Sequence, residues 1–180
     1  MRPLPEVPSF PVYGLDAHFD GFRWLTIWQS PRAPYLVDLG HGRPEDGPWI
    51  SVQTVAKTPY VALTPDSGLG PTGLCDAVTH AATRLAELSS RDRGEVRQLL
   101  SDECANFDYD PSGAGVTFRG GWLADEVSID GVSQPASVRR LDAAWAVVVD
   151  RPDVAVAITG PAPMPQVQLA DVSERIDEYV

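Results

Sequence analysis

Gly68-Leu-Gly70-Pro-Thr-Gly73 has the G-x-G-x-x-G spacing. At the start of a helix, such a run offers free backbone amides and the positive end of the helix dipole to a phosphate. Asp76 and His80 follow one helical turn apart, a spacing that lets a carboxylate hold an imidazole as a general base. Gly68, Gly70, Gly73, Asp76 and His80 therefore form a candidate ligand site. A dinucleotide-binding fold would need a parallel strand after this helix, carrying the acid that binds the ribose. Here the next element reads as another helix, so the run is expected to be a glycine-rich helix start with no cofactor.

The remaining candidates for chemistry are incomplete. Asp108-Tyr-Asp110-Pro-Ser112-Gly113 resembles the first half of a calcium loop, but Arg119 stands at the twelfth position, where a bidentate glutamate is needed. An Asp-Pro-Ser-Gly turn explains it more simply. Asp16, His18 and Asp20 alternate and would converge from an extended segment, yet no Cys/His cluster completes a metal site. His41 lies near Asp38 and could form an ion pair or a base held by a carboxylate. No G-x-S-x-G, H-E-x-x-H or Walker motif accompanies these histidines, so no metal is expected and no nucleophile is assigned. Cys75 and Cys104 fall on the apolar stripes of expected helices and read as buried thiols.

Five tryptophans are many for 180 residues. Each lies in an expected strand, so most belong to a core, but Trp24, Trp28, Trp49 and Trp122 are also candidates for a partner surface. Trp145 belongs to the most informative stretch, residues 143–159, where two apolar runs flank a turn and sort their side chains by size. Trp145, Val147 and Val149 align with Val154, Val156 and Ile158. Ala144, Ala146 and Val148 align with Ala155, Ala157 and Thr159. The turn closes on Val149/Val154 or on Arg151/Val154, and the faces are the same in either register. A hairpin apolar on both faces is a central element covered on both sides.

Around that hairpin, alternation predicts strands at 22–29, 35–39, 49–57, 60–63, 116–119, 122–129 and 134–141, with Asp130-Gly131 as a hairpin turn. Helical periodicity through Leu74/Cys75, Val78, Ala81/Ala82, Leu85 and Leu88 predicts one helix capped by Thr72, and a second spans about 95–105. Residues 1–21 carry prolines at 3, 5, 8 and 11 and form an extended arm packing through Phe10, Val12 and Tyr13. Asp171 and Glu174 have capping-box spacing before a final helix with Val172, Ile176 and Tyr179/Val180 on its apolar stripe. The expected architecture is one α+β domain over 1–180, with antiparallel strands before and after a central helical pair, a C-terminal helix and helices on one sheet face.

The formal net charge of −11 opposes phosphate backbones and anionic lipid, so neither nucleic acid nor membrane is an expected partner. Arg139-Arg140 reads as a strand pair with one arginine turned to a carboxylate. No apolar run approaches the length of a spanning helix, and the first residues lack the apolar core of a signal peptide, so a cytoplasmic location is expected.

Ile129-Asp-Gly-Val-Ser-Gln-Pro-Ala-Ser-Val-Arg-Arg-Leu-Asp-Ala-Ala-Trp145-Ala-Val-Val-Val, with Phe10-Pro-Val-Tyr-Gly-Leu-Asp and Arg23-Trp-Leu, resembles small actinobacterial proteins. The resemblance implies an α+β fold and carries over no catalytic residue. The sequence thus favours a non-enzymatic interaction or accessory module, of regulatory or immunity type, with a basic protein partner. The rival is a small-molecule or phosphate-ligand enzyme or binder centred on Gly68 to His80.

Overall fold

A computed structural model describes residues 8–16, 23–30, 33–42, 49–57 and 122–179, and positions 77, 80, 81, 83–85, 87 and 88 between them. Nine strands form one sheet: β1 Tyr13–Leu15, β2 Arg23–Ser30, β3 Ala33–Gly42, β4 Trp49–Ala56, β5 Leu123–Ile129, β6 Val132–Arg140, β7 Ala144–Asp150, β8 Val154–Pro161 and β9 Gln168–Asp171. Their order across the sheet is β1-β9-β5-β6-β7-β8-β4-β3-β2. Two antiparallel meanders, β2-β3-β4 and β5-β6-β7-β8, join where β4 pairs β8. β9 then returns parallel to β5, and β1 pairs antiparallel with β9.

This overturns the α+β expectation. Among the described residues the architecture is one large mixed sheet, and the helical pair is not seen. The described positions between 77 and 88 are helical, while the segment expected to supply the second helix lies outside the described residues. The C-terminal α-helix is also corrected: Ser173–Tyr179 is a 3-10 helix. β9 takes the chain as far as Asp171, directly before this turn. The Arg175 amide bonds back three residues to the Val172 carbonyl, the tight closure favoured in short terminal pieces. Asp171 still caps it, its Oδ1 accepting the Ser173 amide at 2.9 Å.

The central hairpin keeps the faces read from side-chain size. Val149 pairs with Val156 and the Arg151 amide donates to the Val154 carbonyl, which selects the Arg151/Val154 closure. Trp145, Val147, Val149, Val154, Val156 and Ile158 lie in one buried cluster. Ala144, Ala146, Val148, Ala155 and Ala157 lie in the other, under Ala77, Ala81 and Leu85 of the helical segment. Small side chains on this outer face let a helix approach the strands closely, whereas the bulky face fills the inside of the curled sheet. Trp145 folds over its cross-strand partner Gly160, where an added Cβ would lie 2.6 Å from the ring, and its Nε1 donates to the Pro161 carbonyl at 2.8 Å.

At the β5–β6 turn, Asp130 and Gly131 take φ of 50° and 79°. That is the left-handed two-residue turn expected of Asp-Gly. Pro135 sits in β6 before its pairing with β7 begins at Ser137, where no neighbouring strand needs its missing amide.

The sheet curls so that β1 meets the inner face of β3 and β4. One side of β1 bonds to β9. Its other side has no strand partner among the described residues: the Tyr13 amide donates to Thr54 Oγ1 at 3.1 Å, and the Leu15 amide to His41 Nε2 at 3.2 Å. On the β9 side, Ser173 Oγ accepts the Val12 amide at 2.9 Å. Side chains thus close a seam that a backbone ladder would close in a complete barrel.

Candidate functional site

Two polar regions stand out against this apolar scaffold. The first lies on the outer face, where β3, β4 and β8 place Asp38, Ser51, Gln53 and Thr159 side by side. Asp38 pairs with Gln53, and Ser51 pairs with both Gly40 and Thr159. Side chains alternate along a strand, so these four share the face that carries Val55, Ala155 and Ala157. Ser51 donates its hydroxyl to Asp38 Oδ1 at 2.7 Å. His80, from the helical segment above, brings Nε2 to 3.7 Å from Asp38 Oδ2.

Gln53 and Thr159 are 2% and 1% exposed, yet among the described residues Gln53 Oε1 and Thr159 Oγ1 have no hydrogen-bond partner, and neither has His80 Nε2. Burial pushes the His80 imidazole below its ordinary value. The carboxylate of Asp38 pulls against that shift, Arg84 adds to it and Glu87 opposes it. The imidazole is therefore neutral at pH 7. Ser51 and His80 address different oxygens of one carboxylate, so Asp38 stands where a Ser-His-Asp relay would need the imidazole. Hydrolytic chemistry of that kind is not what these groups are arranged for.

The second region is the edge of β5. β9 pairs with β5 only at Ser128 and Ile129. The amides of Ser128 and Asp130 point to β9, so Ala124 and Glu126 turn their amides to the same side, where no described strand runs. An open groove of about 580 Å³ follows this edge, lined by Asp125, Glu126, Ser128, Arg140, Met164 and Gln166 among others. Arg140 donates to Asp125 Oδ2 at 2.8 Å, the pairing expected of one member of Arg139-Arg140, and Asp125 Oδ1 accepts the Glu126 amide at 2.8 Å. These bonds, the arginine's first, hold the Asp125 carboxyl below its usual range.

Of the expected ligand site, only His80 falls among the described residues; Gly68, Gly70, Gly73 and Asp76 lie outside them, as do Cys75, Cys104 and the calcium-like loop. The carboxylate that His80 meets is Asp38, not one in its own helix. His41 and Asp38 do not meet, because positions three apart in a strand face opposite sides; His41 is buried in the seam. Trp24 and Trp28, expected on one face, are separated by a register shift, so Trp24 lies opposite His41 and Trp28 opposite Asp38. Their side chains and that of Trp49 are outside the described residues. Trp122 is 6% exposed and packs in the outer cluster, which takes it off any free partner surface. Among the described residues no group of three His, Cys, Asp or Glu could hold a metal, and no helix is long and apolar enough to cross a membrane.

Sequence reasoning missed the polar cluster of Asp38, Ser51, Gln53 and Thr159. A signal for part of it was present: Ser51 and Gln53 alternate with Ile50 and Val52, but Val55 continues the polar side. A strand face that turns from polar to apolar is covered, and its polar residues are then buried. No protein family, curated protein or solved structure compared with this chain matches it.

Proposed function

We propose that the protein is a non-enzymatic interaction module that takes an extended, basic segment of a partner protein along the edge of β5. The observation that carries this reading is the groove itself. It is bounded by Asp125, Val127 and Arg140 toward one sheet face and by Glu126, Ser128 and Ser133 toward the other, so it lies on the strand edge. An edge of this kind offers main-chain bonds to an added strand, and the flanking side chains select it. Asp125, Glu126 and a net charge of −11 favour a basic occupant. The cap of Asp125 on the Glu126 amide blunts the edge against indiscriminate pairing.

Ala124→Pro tests this. The Ala124 amide points away from β6, so proline removes an edge donor without breaking the β5–β6 ladder. Isolation from the protein's own cells should retain a basic partner with the wild type and lose it with Ala124→Pro at unchanged melting temperature. Binding should weaken as salt rises. Equal retention by both proteins would refute the edge as the docking site.

A further inference from the structure

Buried polar groups in proteins are almost always paired, and each exception calls for an explanation. The outer-face cluster concentrates three of them: Gln53 Oε1, Thr159 Oγ1 and His80 Nε2. All three present lone pairs, given a His80 tautomer with its proton on Nδ1. Beside them stands Asp38, whose side chain is 25% exposed, as that of His80 is 23% exposed. The region thus has a rim of Asp38 and His80 open to solvent and a floor of Gln53 and Thr159 sealed against alanines.

We propose that this region binds a small organic cation with a primary ammonium head, seated between Asp38, Gln53 and His80, its next polar atom at Thr159. The inference is independent of the β5 edge. An ammonium supplies several N–H donors to a site that offers acceptors, and its charge answers the carboxylate of Asp38. Nε2 of His80 and Oδ2 of Asp38 lie 3.7 Å apart, too far to bond one another, and with the His80 proton on Nδ1 a shared donor would bond both. A water would satisfy some of the same atoms but leave the carboxylate's charge unanswered. An anion would be repelled by the carboxylate of Asp38. A divalent metal would require more oxygen ligands than one carboxylate provides. Thr159 lies one strand beyond Gln53 on the same face, so it reaches the atom next along the ligand rather than the head.

The site also excludes its guest on acidification. A protonated His80 would pair with Asp38 directly and fill the site with its own cation. Arg84 and Glu87 on the same helical segment, with Asp38 on β3, are the charged groups acting on that imidazole, so Glu87 and Asp38 favour the competing proton and Arg84 opposes it. Affinity should therefore fall as acid protonates His80, at a pH below the ordinary imidazole value.

The test uses the whole protein with ethanolammonium chloride as probe and tetramethylammonium chloride, which has no N–H, as control at equal ionic strength. Ethanolammonium should raise the melting temperature saturably at pH 7.5 and shift the His80 ring resonances; tetramethylammonium should do neither. Asp38→Asn should weaken binding about tenfold or more, as expected for losing a charged acceptor. Thr159→Val should weaken ethanolammonium and leave ammonium itself unaffected. An identical response to both salts, or ethanolammonium binding that survives Asp38→Asn, overturns the proposal. So does the absence of any His80 shift at saturating probe, which would mean that water alone occupies the region.

Discussion

His41 and Thr54 inside the curl and His80 and Thr159 on its outer face are the same residue types, packed on the two faces of one sheet, with opposite outcomes. Inside, each side chain accepts a backbone amide of β1, from Leu15 and from Tyr13. Outside, Thr159 Oγ1 and His80 Nε2 are left without partners. The inner pair completes the fold, because removing either leaves a buried amide orphaned. The outer pair costs the fold something and returns nothing to it. Burial of a polar group therefore does not by itself mark a functional site.

The largest expected effect breaks the inner region by titration. Burial pushes His41 down to about 4, against the opposing pull of the Leu39 and Ile50 backbone. Between that value and the unfolded one the unfolded chain binds the extra proton, so this contribution is complete above pH 6.5 and is lost as pH falls toward 4. It amounts to about 3 kcal/mol at the low end. The difference in denaturant stability between wild type and His41→Gln, which can accept without titrating, should show that slope. A difference that stays flat from pH 7 to 4 would contradict the buried neutral imidazole.

Gly160→Ala comes next, since its Cβ would meet Trp145 at 2.6 Å and Ile50 at 3.1 Å inside the packed curl. Overpacking there should cost about 1–3 kcal/mol, read from urea unfolding. Asp171→Ala should cost about 1 kcal/mol. That carboxylate caps the 3-10 helix and bonds the Ser173 hydroxyl, which in turn accepts the Val12 amide on the β9 side of β1. A melting temperature unchanged within error would remove Asp171 from that chain. On the outer face, by contrast, Gln53→Leu should leave stability within about 0.5 kcal/mol of wild type or raise it, because Oε1 already lacks a partner.

The hairpin from Ala144 to Pro161 was legible because alternation sorts bulky from small side chains, and Asp130-Gly131 because only a few residue pairs tolerate two positive φ values in a row. β1 and β9 were not. Each is four residues or fewer; β1 is a strand only through β9, more than 150 residues away in the chain, and β9 only through β1 and β5. The shift in β2 between Trp24 and Thr26 escaped for the same reason: register belongs to a pair of strands. Periodicity did place helical residues at Ala81, Leu85 and Leu88, but could not say that the sheet, not helices, dominates the described fold. For the outer region, local spacing joined His80 to Asp76, whereas the curl brings Asp38 to it from 42 residues earlier.

Thr54→Val and Thr159→Val, compared by urea unfolding at pH 7.5 without added amines, test the contrast most directly. Both exchange a buried hydroxyl for a methyl of similar volume. The account predicts a loss of about 1–3 kcal/mol for Thr54→Val, which strands the Tyr13 amide, and no loss, or a small gain, for Thr159→Val. Equal losses in the two variants, or a larger loss for Thr159→Val, would contradict it.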